Sequence, residues 1–145
     1  MGDQDRLVVS SALEAFYQRE TKHPDTVYLV QPLGDGQVQE ITWGQAGYLC
    51  SLDFPEQSHI ALISKNCAHW IIADLAIWMA GHVSVPLYPN LTADSVRQIL
   101  EHSEARAVFV GKLDEWDSMR PGVPPNLPMI GLPLAPEDSQ LLDWE

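Results

Sequence analysis

The sequence predicts an α/β fold: a parallel βαβαβ core with flanking helices and a small N-terminal antiparallel hairpin. Three observations carry this. Short apolar runs rich in β-formers stand at His59–Ile63, Val83–Leu87 and Ala107–Val110. Helical segments, Cys67–Ala80 and Asp94–Glu104, fill the intervals between them. Upstream, TVYLVQ (26–31) and QVQEITW (37–43) flank Pro32-Leu33-Gly34-Asp35-Gly36. Short apolar strands alternating with helices argue for βαβ units with right-handed crossovers. Two β-like runs around turn residues argue for a hairpin.

Val8 to Lys22 reads as a helix capped by Ser10 or Ser11, with Leu13, Phe16 and Tyr17 on one face. His23-Pro24 stops it, because a residue before proline leaves the α region. After the hairpin, Gly44–Leu52 is expected to be a short helix weakened by Gly44 and Gly47. In the core, Asn66 is placed to cap a helix that is apolar nearly all round, through Trp70, Ile71, Ile72, Leu75, Ala76, Ile77, Trp78 and Met79; such a helix is expected to lie between layers. Gly81 ends it. Pro86 cannot donate to a ladder and marks an edge or a strand end. Thr92 caps the next helix, with Asp94 in its first turn and Val96, Ile99 and Leu100 facing inward. Lys112–Arg120 reads as a short helix with Trp116 packed inward, and Met129–Leu132 as a last strand. Residues 1–132 are read as one (sub)domain and 133–145 as a loose acidic tail.

The bulk numbers exclude several function classes. With 145 residues and 46% hydrophobic content the chain is globular and of single-domain size. Twenty acidic against eight basic residues give a net charge of −12, which argues against nucleic acid and anionic membrane surfaces as partners. Cys50 and Cys67 match no zinc or redox spacing. The N-terminus has no signal-like apolar stretch, and Cys67–Ala80 is shorter than a membrane span and carries His69 and Asp74. A cytoplasmic protein with free thiols is the expectation.

Residue chemistry alone assigns no reaction. Gly111-Lys112 has the ending of a phosphate-binding loop, but Arg106 and Leu113 occupy the positions that need Gly and Ser/Thr. Gly34-Asp35-Gly36 is not followed by a helix start. Ser64, His69 and Asp74 are the residue types of a hydrolytic triad, yet Ser64 lacks the nucleophile-elbow context, and His69 and Asp74 are five apart on a helix. His23, His59, His69, His82 and His102 are scattered, without i+3 or i+4 pairs. Trp70 and Trp78 are two helical turns apart, and core packing is their expected role.

Longer words add what single residues do not. Ile41-Thr42-Trp43, the stretch 60–105 (IALISKNCAHWIIADLAIWMAGHVSVPLYPNLTADSVRQILEHSEA) and VFVGKLDEW at 108–116 resemble the N-terminal part of adenylate-forming (AMP-binding) acyl-CoA synthetases, most of all bacterial long-chain fatty-acid–CoA ligases. The resemblance covers most of residues 9–131. It implies the N-terminal subdomain of the acyl-CoA synthetase fold. It also implies, for the full-length family, ATP-driven activation of a carboxylate to an acyl-adenylate with release of pyrophosphate, followed by transfer to coenzyme A. ATP, magnesium and CoA are the cofactors so implied. In that family the phosphates are held by a Ser/Thr/Gly-rich loop with a lysine, adenine and ribose by an aromatic residue and an aspartate, and adenylation uses a lysine from a mobile lid. This sequence contains no Ser/Thr/Gly-rich run, so no catalytic, cofactor-binding or metal-binding residue is carried over, and no cofactor is expected for this chain alone. Gly44–Leu52 is shorter than the family's helix there, and Gln57 replaces a usual Gly. An uncovered apolar face and a marginal fold are the expected consequences, with self-association or pairing with a full-length synthetase as the possible partnerships.

Overall fold

The computed structural model describes residues 11–44 and 55–143. The chain divides into two compact units, Met1–Leu49 and Cys50–Glu145.

In the first unit, helix α1 (Ala12–Lys22) begins at Ser11, whose hydroxyl accepts from the Glu14 N–H at 3.1 Å. Ser11 is therefore the cap; the expected start at Val8 lies outside the described residues. Phe16 is the buried residue of the helix. Strands β1 (Val27–Gly34) and β2 (Gln37–Thr42) pair antiparallel. The expected five-residue turn shrinks to Asp35-Gly36, both at positive φ (48° and 77°), the two-residue loop that matches strand twist. Pro32 joins the strand opposite Val38; every strand of a two-stranded ribbon is an edge, so its missing N–H can face outward. Tyr28 stacks on Trp43 at 3.9 Å between ring centroids, and Phe16 packs 5.7 Å and 5.4 Å from the two rings. Trp43 and Gly44 are helical; the rest of the helix expected over Gly44–Leu52 lies outside the described residues.

The second unit is a five-stranded parallel sheet in the order β4-β3-β5-β6-β7. Its strands are β3 (His59–Ile63), β4 (Val83–Leu87), β5 (Ala107–Val110), β6 (Met129–Gly131) and β7 (Leu142–Asp143). The three strand segments expected as the core occupy their expected positions, and the fourth ends one residue early at Gly131. β3 and β5 are in register, Ile60 beside Ala107 through Ile63 beside Val110. Alternation then sorts their side chains onto two faces. Ala61, Ile63, Val108 and Val110 meet Val96 and Leu100 of helix α3 (Ala93–His102), with Trp116 and Met119 of helix α4 (Trp116–Met119). Ile60, Leu62, Ala107 and Phe109 meet Ala73 and Ile77 of helix α2 (Ala68–Met79). The edge position read from Pro86 is observed. Val83 donates its N–H inward to the Ser58 carbonyl at 2.9 Å, so alternation turns the ring nitrogen of Pro86 outward.

Several local expectations change. Cys67, not Asn66, is the N-cap of α2, and its side chain makes no capping bond. The helix buries one side, including Ile72, Ala73, Ala76 and Ile77, but leaves Ile71 38% and Trp78 44% exposed. It therefore covers the sheet rather than lying between two layers, and core packing fails for Trp78. α3 is capped as expected: Thr92 accepts from the Ser95 N–H at 3.3 Å. α4 begins at Trp116 and passes into a 3₁₀ turn, Arg120–Gly122. It cannot begin at Lys112, whose carbonyl accepts from the Lys65 N–H at 2.8 Å instead of closing a helical turn. Trp116 is packed inward as expected, 4% exposed. The described part of the expected loose tail, 133–143, is tied down by β7 and by Asp138, which accepts from Trp116 and Arg120. Among the described residues no helix is long and apolar enough to cross a membrane.

Gly111, just past β5, marks a close approach of two chain segments: a Cβ there would lie 2.6 Å from the Ser64 Cβ. Gly111→Ala is expected to lower stability by about 1–3 kcal/mol through overpacking, read as the urea midpoint, and Ser64→Gly in the same chain is expected to recover most of the loss.

Candidate functional site

In an open α/β sheet, ligands bind outside the carboxyl ends of the strands where the chain reverses its direction of travel across the sheet. Here the chain steps from β3 outward to β4, then crosses back to β5 on the other side of β3. α2 and α3 lie on opposite faces. The reversal therefore falls at the ends of β3 and β5, where Ser64-Lys65-Asn66 and Gly111-Lys112 emerge side by side. Gly111 donates its N–H to the Ile63 carbonyl at 2.9 Å, and Lys65 donates to Lys112 O. The Lys65 ammonium pairs with Asp114. The Ser64 hydroxyl donates to the Lys65 carbonyl at 2.7 Å and lies 3.8 Å from the Cys67 sulfur.

Beside this crossing, at the ends of β3 and β4, a cleft of about 260 Å³ is lined by Ser64, Asn66, Trp70, Pro86, Leu87, Tyr88 and Pro89. Tyr88 is 76% exposed, and half-buried Trp70 backs onto the core beneath α2. The lining offers aromatic and proline surface with hydroxyl and amide groups, and no charged side chain. It suits an uncharged group better than a phosphate. Of the tryptophan pair, Trp70 lines this cleft and Trp78 does not.

The sequence fragments with possible chemistry do not assemble into a site. Lys112 follows β5, but no helix opens directly after it, so Gly111-Lys112 is a strand exit. Gly34-Asp35-Gly36 lies at the hairpin turn. Ser64 spends its proton on a backbone carbonyl rather than presenting it to a base. His69 is buried in the first turn of α2, where burial lowers its pKa below 6.5 and holds the ring neutral. Among the described residues no three His, Cys, Asp or Glu side chains gather around a metal position; Cys50 lies outside them. Sequence reasoning missed the Lys65–Asp114 pair and the cleft residues Asn66 and Tyr88. The signal for them was indirect: loops following neighbouring parallel strands emerge at one end of the sheet.

His69 gives a pH dependence with a defined sign. Its folded pKa lies below the unfolded value near 6.5, so as pH falls past 6.5 the unfolded chain takes up a proton that the folded chain resists. Its contribution is full above 6.5 and is lost as pH drops toward the folded pKa. The urea midpoint is expected to fall between about pH 7.5 and 5.5, and His69→Gln to flatten that slope.

Comparison with known proteins places this geometry. The family profile described as AMP-binding enzyme matches residues 16–143. A (methyl-dioxo-octahydroindenyl)propanoyl:CoA ligase of Mycobacterium tuberculosis is 28% identical over 109 residues, 75% of this chain and 22% of the ligase. A long-chain-fatty-acid–CoA ligase of Mycobacterium bovis is 32% identical over 101 residues, 64% of this chain and 17% of the ligase. The chain thus spans about a fifth of the length of these curated relatives. Among solved structures, the anthranilate CoA ligase AuaEII in complex with anthranoyl-AMP superposes with a TM-score of 0.72 at 19% identity, over 99% of this chain and 29% of that one. The N-terminal subdomain of Klebsiella oxytoca NpsA superposes with a TM-score of 0.57 at 20% identity, over 70% and 27%. A parallel sheet with covered faces, a hairpin unit before it and a family match across 16–143 lead to one assignment: the chain belongs to the AMP-binding enzyme family.

Proposed function

We propose that this chain supplies the N-terminal scaffold of an AMP-forming long-chain fatty-acid–CoA ligase, in the cytoplasm, and does not turn over substrate alone. The observation that carries this is the family match over 16–143 in a chain spanning about a fifth of its curated relatives. The residues present do not fit a magnesium-bound triphosphate. At the carboxyl end of the sheet Lys65 is paired to Asp114, the neighbouring cleft has no charged lining, and the sequence has no Ser/Thr/Gly-rich loop. Phosphoryl groups need convergent N–H donors and cations, and no catalytic step is assigned to residues of this chain. With ATP, magnesium, CoA and palmitate, the pure protein is expected to release no pyrophosphate above a protein-free blank; turnover would refute the reading.

A second reading, a non-catalytic interaction module that pairs with itself or with a full-length synthetase, is favoured by one observation. Ile71 and Trp78 stand two turns apart on the same side of α2 and are both exposed. Large apolar side chains grouped on one side suit a protein contact. Light scattering after size exclusion is expected to give a mass above one chain at tens of micromolar, about the scale of weak association. Trp78→Gln is expected to return it to one chain, whereas a wild-type monomer that binds no synthetase removes this reading.

A further inference from the structure

The segment after β6 is joined to the sheet differently from the rest. β3, β4, β5 and β6 are linked in sequence by helices, whereas β6 reaches the parallel strand β7 through residues 132–141 without one. Parallel pairing usually needs a longer crossover. Leu134 within it sits at φ 72°, a left-handed conformation that strains an L side chain. From 133 to 143 no residue is buried, in contrast to β5, where all four are. What holds the segment is Asp138. Its Oδ2 accepts from Trp116 Nε1 and from Arg120 Nε, each at 3.0 Å, and its Oδ1 accepts from the Gln140 N–H at 2.9 Å. Its carbonyl accepts from the Leu141 N–H at 3.1 Å. Arg120 also donates to the Gln140 side chain. The Gln140 N–H first, then Trp116 and Arg120, hold the Asp138 carboxyl below the usual carboxylate range. Gln140 and Leu142 form one wall of a cleft of about 380 Å³, with Pro125, Asn126, Leu127, Pro128 and Met129 opposite.

We propose that residues 133–143 form a latched strap over the outer edge of β6, with Asp138 as the latch, and that the strap lifts as a unit while β3, β5 and their helices stay folded. Two donors from outside the strap, Trp116 and Arg120, converge on this one carboxylate, and the Arg120–Gln140 bond is a lesser link to the 3₁₀ turn. No side chain of the strap is fully buried; its apolar contact with the core is made by the partly buried Leu141, and segments with few buried contacts open at low free energy. Lifting removes the partners of Ile130 and Gly131 and takes one wall from the cleft, converting a closed edge into an open one.

Hydrogen exchange read by mass spectrometry on the full chain tests this. Peptides covering β6 and 133–143 are expected to exchange well ahead of those covering β3 and β5. Asp138→Asn is expected to accelerate the strap and β6 by at least about ten-fold, as loss of charge-assisted bonds implies, with β3, β5 and α3 unchanged. Trp116→Phe is expected to accelerate the same peptides by less. One common exchange rate for strap and central strands in the wild type overturns the proposal. So does an Asp138→Asn chain that accelerates every peptide equally or leaves the strap unaffected. Should that variant fail to fold, the wild-type separation and the Trp116→Phe pattern decide the matter.

Discussion

Successive strand residues leave opposite faces of a sheet, so a strand with four consecutive apolar side chains is stable only when both faces are covered. β3 and β5 impose that condition on the second unit. Ile60, Leu62, Ile63, Val108, Phe109 and Val110 are each 2% exposed or less. At about 1.5–3 kcal/mol each, their burial amounts to on the order of 10 kcal/mol, comparable to the net stability of a whole domain. α2 must lie on one side and α3 with α4 on the other. That arrangement in turn produces the chain reversal at the ends of β3 and β5, where the Lys65–Asp114 pair lies, with the Tyr88 cleft beside it at the ends of β3 and β4. The position of the candidate site is therefore a consequence of how the core is covered.

The same condition explains which elements were legible. Doubly buried strands appear in sequence as unbroken apolar runs, so β3 and β5 could be read to the residue. α3 was legible because Thr92 and Asp94 announce its start and a narrow apolar stripe its inner side. Other elements carry no such local pattern. β7 is two residues long and owes its place to Asp138, whose partners Trp116 and Arg120 are 22 and 18 positions away. Lys65 and Asp114 are 49 positions apart and meet only through the sheet order. The outer side of α2 misled because hydrophobicity states what a side chain prefers, not whether a covering layer is present. Cys67 took the cap position from Asn66 because helix entry is set by where the loop leaves β3, and Asn66, though a good capping type, falls one residue too early.

Electrostatics and topology point the same way at the site. An acidic chain of net charge −12 has few cations to spend. One of those at the strand ends is neutralised by its neighbour, and the adjoining cleft is aromatic and uncharged in its lining. The reversal point common to ligand-binding α/β sheets is present, with exposed Lys112 beside the Lys65–Asp114 pair.

Pro86 carries a further consequence. With its ring nitrogen turned outward, the β4 flank offers no regular set of donors to an incoming strand. Lateral growth of the sheet is one-sided. A head-to-tail stack, in which the β7 flank of one copy meets the β4 flank of the next, lacks a donor at Pro86, which disfavours an open-ended fibre. Two copies joined through their β7 flanks would instead close on themselves by two-fold symmetry and leave only proline-bearing flanks outward. Pro86 thus favours a closed pair over a chain for association along this sheet.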